Sequence, residues 1–240
     1  MNEIHIYSLE LDLDPALLDD LYDLLNPEER VRAARFRAPR HRNRFIARRG
    51  MLRQILSRYA GETPPRLQFV TNRYGKPALD RSSVRFNLSH SSGRALVAVT
   101  NDREVGVDLE RIDAHFAIDQ IPEQFFSRRE VAALRALPES QQKDAFFRCW
   151  CRKEAYIKAR GYGLSLPLDS FAVSVAPGEP AALLHGGSGW SLQALDLGPG
   201  FAGAVAARGS GWRVVMLPFA ASPGKGAVAA AAAQTLAEVV

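Results

Sequence analysis

One order of elements runs twice through this chain, and that repetition limits the fold more than any other feature of its 240 residues. The alternation from Ile4 to Leu13 predicts a strand. Asp14-Pro15 opens a helix through about Leu25, and Asn26, a good helix N-cap, opens another. A longer amphipathic helix over Arg40–Tyr59 ends at Gly61, and strands follow at Leu67–Thr71, Val84–Leu88 and Ala95–Thr100. The order then restarts. A strand ends at Glu110, a short helix runs through Phe125, and Ser127 with Glu130 makes a capping box. A long helix from about Gln141 to Arg160 stops at Gly161 and Gly163, and strands follow at Ser170–Val175, Ser191–Asp196, Ala202–Ala207 and Trp212–Leu217. The stretch Asn26–Phe36 reads against Phe126–Ala136. Two pseudo-equivalent halves meeting near residues 100–110 are expected, with a small-molecule site at their junction.

Composition excludes several classes. Apolar content of 47% and charged content of 24% are those of an ordinary globular protein. No run of ~18 apolar residues predicts a membrane span, and the start carries no basic-then-apolar leader, so cytoplasm is the expected location. Cys149 and Cys151 stand two apart on a predicted helix, which suits neither a disulfide nor a zinc site; buried small residues are expected. Arginine is dense from Arg30 to Arg53, which invites an anionic partner. Only Phe36 and Phe45 interleave with it, so a nucleic-acid partner is not expected.

The chemistry-bearing residues are acidic. On the strand Val105–Glu110, Val105, Val107 and Leu109 share one face, while Gly106, Asp108 and Glu110 share the other. In Trp150-Cys-Arg-Lys-Glu-Ala-Tyr-Ile-Lys158, a predicted helix places Glu154 and Lys158 one turn apart. Each pattern alone also suits a solvated strand face or an exposed helical ion pair. Together, three carboxylates and an ammonium on rigid elements are the parts of a Mg²⁺ site that handles phosphates.

Further motifs make the chain resemble the Sfp-type 4′-phosphopantetheinyl transferases. They are Tyr74-Gly-Lys-Pro77, Phe86-Asn-Leu-Ser-His-Ser91, Gly106-Val-Asp-Leu-Glu110, Phe125-Phe-Ser127 with Glu130, and Trp150–Lys158; Gly161-Tyr-Gly-Leu164 and Leu168-Asp-Ser-Phe171 extend the series. The ordered set spans about residues 1–217. The resemblance implies an α+β fold of two similar, pseudo-twofold-related halves, each a small antiparallel sheet packed against a long helix. The expected boundaries are 1–104, 105–218 and an Ala-rich tail, 219–240, with a frayed helix from Pro223.

The resemblance also implies transfer of 4′-phosphopantetheine from coenzyme A to a serine of an apo acyl or peptidyl carrier protein, releasing adenosine 3′,5′-bisphosphate. Mg²⁺ would be held by Asp108, Glu110 and Glu154, with Lys158 at a phosphate and Glu154 or a metal-bound water as proton acceptor. Tyr74, Lys76, Pro77, Ser89, His90 and Ser91 would contact coenzyme A, with Arg32 and Arg44 as basic positions and Arg44 at its 3′-phosphate. Glu29 departs from the pattern, standing where some relatives have lysine. Phe116, Ile118 and Phe125 are a candidate carrier-docking surface, and a monomer is expected. A Mg²⁺-dependent nuclease or phosphoesterase and an inactive coenzyme A or carrier-protein binder are the alternatives.

Overall fold

Repetition in the sequence becomes repetition in strand order. In a computed structural model that describes residues 2–222, the first run is β1 (Glu3–Glu10), α1 (Pro15–Asp23), α2 (Pro27–Ala34), α3 (Pro39–Ala60), β2 (Phe69–Thr71), β3 (Pro77–Leu79), β4 (Val84–Ser91) and β5 (Arg94–Asn101). The second is β6 (Val105–Arg111), α4 (Ile121–Phe125), α5 (Arg128–Arg135), α6 (Glu139–Arg160), β7 (Ala172–Val173), β8 (Leu183–His185), β9 (Trp190–Ala194) and β10 (Phe201–Arg208), followed by β11 (Arg213–Leu217). One sheet has the order β11-β1-β5-β4 and another β6-β10-β9. Replacing each first-run strand by its counterpart turns β1-β5-β4 into β6-β10-β9, and the pair β2-β3 into β7-β8. The fold is α+β, as expected. β4 and β5, and β10 with both its neighbours, pair antiparallel, while β11 adds a parallel strand alongside β1. The tail expected from Pro223 lies outside the described residues.

The chain forms two compact units. The first holds the residues up to Tyr7 together with Phe69–Leu217. Its strand β6 has a distinct role for each face. Val105, Val107 and Leu109 enter a core with Ile4, Ile6, Leu96 and Val205. A second core gathers Ala155, Tyr156 and Ala159 of α6 with Phe126, Phe171, Val173, Leu192 and Ala204. Cys149 and Cys151 are buried there and free, as expected, and burial pushes both thiols up.

The second unit holds Ser8–Gln68 and the segment from Pro218. Here Asn26 caps α2 through Glu29 N at 2.9 Å, and the Glu29 carboxylate accepts from Asn26 N in return. That carboxylate also accepts from Arg49 Nε and Arg53 Nε, each at 2.7 Å. Glu29 is therefore a buried helix-to-helix clasp. Burial alone would raise its pKa, but the Arg53 and Arg49 guanidiniums outweigh this and hold it below 4.5. In the first unit Glu130 repeats the device: it completes the capping box with Ser127 and takes Lys153 Nζ on both oxygens at 2.7 Å. Each long helix ends at a glycine in the left-handed region, Gly61 and Gly161, both at φ 69°. Late in α3, Gln54 Nε2 donates to Ser222 O at 2.7 Å, and the Arg58 guanidinium lies 4.9 Å from the Phe219 ring centre.

Candidate active site

A missing side chain lets β6 and α6 meet. A Cβ built on Gly106 would lie 2.2 Å from both Ala155 O and Ala159 N. Only glycine lets the backbone of α6 lie this close to β6. The small residues Ala155 and Ala159 face the strand, and Glu154 and Lys158 come with them. Lys158 Nζ lies 2.5 Å from Asp108 Oδ1 and 3.0 Å from Ser89 Oγ.

Strand β4 flanks the other side of this face. Asn87 Oδ1 accepts from Val107 N at 2.8 Å, and Ser89 Oγ donates to Asp108 Oδ1 at 2.8 Å. Ser91 Oγ donates to Glu110 Oε2 at 2.9 Å and accepts from Arg111 N at 3.1 Å. Asp108, Lys158 and Ser89 thus form one hydrogen-bonded set, and Glu110 with Ser91 a second beside it. His90 points to the opposite face of β4 and is exposed.

Like charges crowd the group. The Glu154 carboxyl is pushed up, first by burial and then by Asp108, with Lys158 opposing. Glu110 is pushed up by the same two causes in the same order. Asp108 is 1% exposed; its Oδ2 meets no N–H or O–H donor among the described residues, and the Cys151 thiol also bears on the carboxyl. A buried carboxylate oxygen without an N–H or O–H donor, beside two carboxylates held above their ordinary range, fits a hard divalent cation. Among the described residues no three His, Cys, Asp or Glu side chains are already drawn into a metal cluster. The Lys158 ammonium provides the positive charge next to Asp108.

The turn ahead of β3 is fastened to these same elements. The Asn72 amide donates to Gly161 O at 2.8 Å, and its Oδ1 accepts from Tyr74 N and Lys76 N. Lys76 Nζ donates to Glu104 Oε2 at 2.9 Å, Val105 O at 3.1 Å and Ala159 O at 3.0 Å. An ammonium has three hydrogens, and all three are used. Pro77 opens β3 and lines a cavity of about 450 Å³ with Lys76, Arg85 and Glu104. Tyr74 is partly exposed and meets Tyr162 edge-on, 5.5 Å between ring centres.

Arg32 and Arg44 belong to the other unit. Arg44 Nε donates to Asp12 Oδ1 at 2.6 Å, and Nη2 to Asp12 Oδ2 at 2.5 Å. Arg32 is exposed and lies 5.4 Å from the Phe45 ring centre. With Val31, Arg35 and Phe36 it lines a cavity of about 690 Å³. Arg49 and Arg53, inside the run expected to attract anions, are spent on Glu29.

Four residues that sequence reading passed over matter here: Asn72, Asn87, Glu104 and Lys153. Asn72, before a turn, carries the sequence signal of a side chain that folds back on its own backbone. The other three act across long sequence separations and leave no local signal.

Known proteins resemble this chain over most of its length. A family model described as "4'-phosphopantetheinyl transferase superfamily" matches residues 104–206. The 4'-phosphopantetheinyl transferase HetI of Nostoc sp. is 41% identical over 81% of this chain and 83% of its own length. The 4'-phosphopantetheinyl transferase Sfp of Bacillus subtilis is 33% identical over 70% of this chain and 75% of its own. A putative 4'-phosphopantetheinyl transferase of Synechocystis sp., slr0495, is 34% identical over 63% of both chains. The matched segment contains Asp108, Glu110, Glu154 and Lys158. The chain belongs to the 4′-phosphopantetheinyl transferases, enzymes that move phosphopantetheine from coenzyme A onto carrier proteins.

Proposed function

We propose that this chain performs the transfer with Asp108, Glu110 and Glu154 holding Mg²⁺ and Lys158 contacting the coenzyme A pyrophosphate. The supporting observation is the convergence of Lys158 and Ser89 on the buried Asp108 carboxyl. When bound, the cation neutralises the pyrophosphate charge. The carrier serine oxygen forms a bond to the phosphorus bearing pantetheine, and the bond from that phosphorus to the bridging oxygen breaks. Adenosine 3′,5′-bisphosphate leaves with the bond's electron pair. Lys158 donates to a phosphate oxygen and stabilises charge building on the leaving group. Glu154, one helical turn before Lys158, takes the serine proton.

Tyr74 and Pro77 offer coenzyme A apolar surface, His90 an imidazole, and Arg32 and Arg44 positive charge. The carrier, acyl or peptidyl, docks on an aromatic ledge. Phe116 is 38% exposed and Phe125 40%, and their rings lean on Phe147 and Trp150. Exposed aromatic surface of this kind suits a partner's apolar patch. All the acidic and basic groups come from one chain, which favours a monomer. Among the described residues no helix is long and apolar enough to cross a membrane. The coenzyme A substrate and two free thiols favour the cytoplasm.

The test is incubation with Mg²⁺, coenzyme A and a panel of apo carriers, followed by intact-mass measurement of each carrier. A gain of one phosphopantetheine on the serine-bearing carrier is the expected result. No gain on any carrier, with coenzyme A still bound, would leave an inactive binder.

A further inference from the structure

We infer that Arg135 is a positioning residue for carrier binding: its guanidinium clamps the loop between β6 and α4 into the shape that presents Phe116. The inference rests on the aromatic ledge proposed above as the carrier's docking surface.

Residues 112–120 join β6 to α4 without forming a helix or strand of their own. A loop of that length keeps one shape only where side chains fasten it. Its apolar fastening is in place. Ile112 and Ile118 pack against the core, and the Phe116 ring lies 6.0 Å from Phe146 and 5.6 Å from Phe147, centre to centre.

The polar fastening comes from the end of α5. Arg135 Nε and Nη2 donate to the two oxygens of Glu123 in α4, at 2.9 and 3.0 Å. Nη2 also donates to Asp119 O in the loop, and Nη1 donates to Gln142 Oε1 in α6 at 3.1 Å. One planar group thus joins the loop to two helices. Asp119 has φ 21°, where few residues with a Cβ settle, so this turn needs an outside hold. Lys143, next to Gln142, donates to Ala114 O. The two tethers, at Ala114 and Asp119, bracket Phe116.

Fold stability does not account for the clamp. Arg135 and Glu123 are 35% and 41% exposed, and an ion pair so wet adds little. A bidentate fork shared with two uncharged acceptors instead fixes geometry. A carrier that meets a loop already in shape avoids the entropic cost of ordering it.

Direct attraction of an acidic carrier by the Arg135 charge is the rival role, and two substitutions separate them. Arg135→Lys keeps the charge and loses the fork. Glu123→Gln removes the partner charge and leaves the cation. The experiment is steady-state kinetics with the carrier that gains mass in the panel above, alongside hydrogen exchange of the free enzyme. Arg135→Lys should raise KM for the carrier about tenfold, with kcat and KM for coenzyme A within about twofold. Glu123→Gln should raise carrier KM as well. Amides of 113–120 should exchange faster in both variants, with those of β6 and α6 unchanged. An unchanged carrier KM in Arg135→Lys, or a lower one in Glu123→Gln, would overturn the proposal in favour of charge attraction. A fall in kcat as large as the rise in carrier KM, or unchanged exchange in the loop, would overturn it too. Phe116→Ala tests the ledge separately: an unchanged carrier KM there would remove the docking surface itself, whatever the clamp variants do.

Discussion

At Gly106 a hydrogen atom sets the distance between the two elements that carry the chemistry. A methyl group there would meet the α6 backbone at Ala155 and Ala159, and backbone cannot rotate out of the way as a side chain can. Gly106→Ala should cost about 3 kcal/mol in urea unfolding and remove turnover, because Glu154 and Lys158 move with the helix. Glu154 carries the opposite balance. Its pKa is raised in the folded protein, so the stability tied to its protonated form is present below 4.5 and is lost as pH rises through the folded value. At neutral pH the ionised group therefore opposes folding. Glu154→Gln should raise the melting temperature by a few degrees in EDTA while turnover falls to background, a split that calorimetry and carrier mass measure on the same sample. A lower melting temperature would show that its charge helps hold the fold. The acidic residues were legible in the sequence because strand alternation puts Asp108 and Glu110 on one face. Their wiring was not: Asp108 finds Ser89 across 19 residues and Lys158 across 50.

Among the elements, local signals were readable and remote ones were hidden. Asn26 and Ser127 cap their helices within three residues, and Gly61 and Gly161 end theirs, so each signal fits inside one turn. Strands β3 and β8 have three residues each, too few to show alternation. The turn before β3 reads as an exposed loop with a lysine, yet Lys76 reaches Ala159 across 83 residues. Its ammonium caps the carbonyl end of α6, a favourable place for a cation, and ties that end to the start of β6. Lys76→Met should lower stability by ~2 kcal/mol. It should reduce kcat about tenfold, with KM for coenzyme A moving less than about threefold. Steady-state kinetics that showed the loss entirely in KM would restore a direct ligand contact for the ammonium.

Across the molecule the two units answer acid differently. Glu29 is held below its ordinary pKa, so its contribution is present above 4.5 and disappears as pH falls through the folded value. Glu110 and Glu154 are held above theirs, so between neutrality and 4.5 the first unit gains as they take up protons. Acid unfolding should begin in the unit built on α1–α3. Hydrogen exchange at stepped pH would show this as early loss of protection in α3, with β6 and α6 still protected; simultaneous loss would count against it. The doubled architecture was legible because the capping stretches and long helices repeat at the level of sequence. The grouping into units was not, because β11 returns to pair with β1 across more than 200 residues.

The two long helices, ending 100 residues apart at Gly61 and Gly161, put Gln54 where the second has Glu154 and Arg58 where it has Lys158. Gln54 and Arg58 are engaged by Ser222 and Phe219. The first copy thus has an amide in place of the acid, and its own chain is seated against that amide and Arg58. Stoichiometry follows from this plugged duplicate. However alike the two runs are, calorimetric titration should saturate at a single coenzyme A per chain.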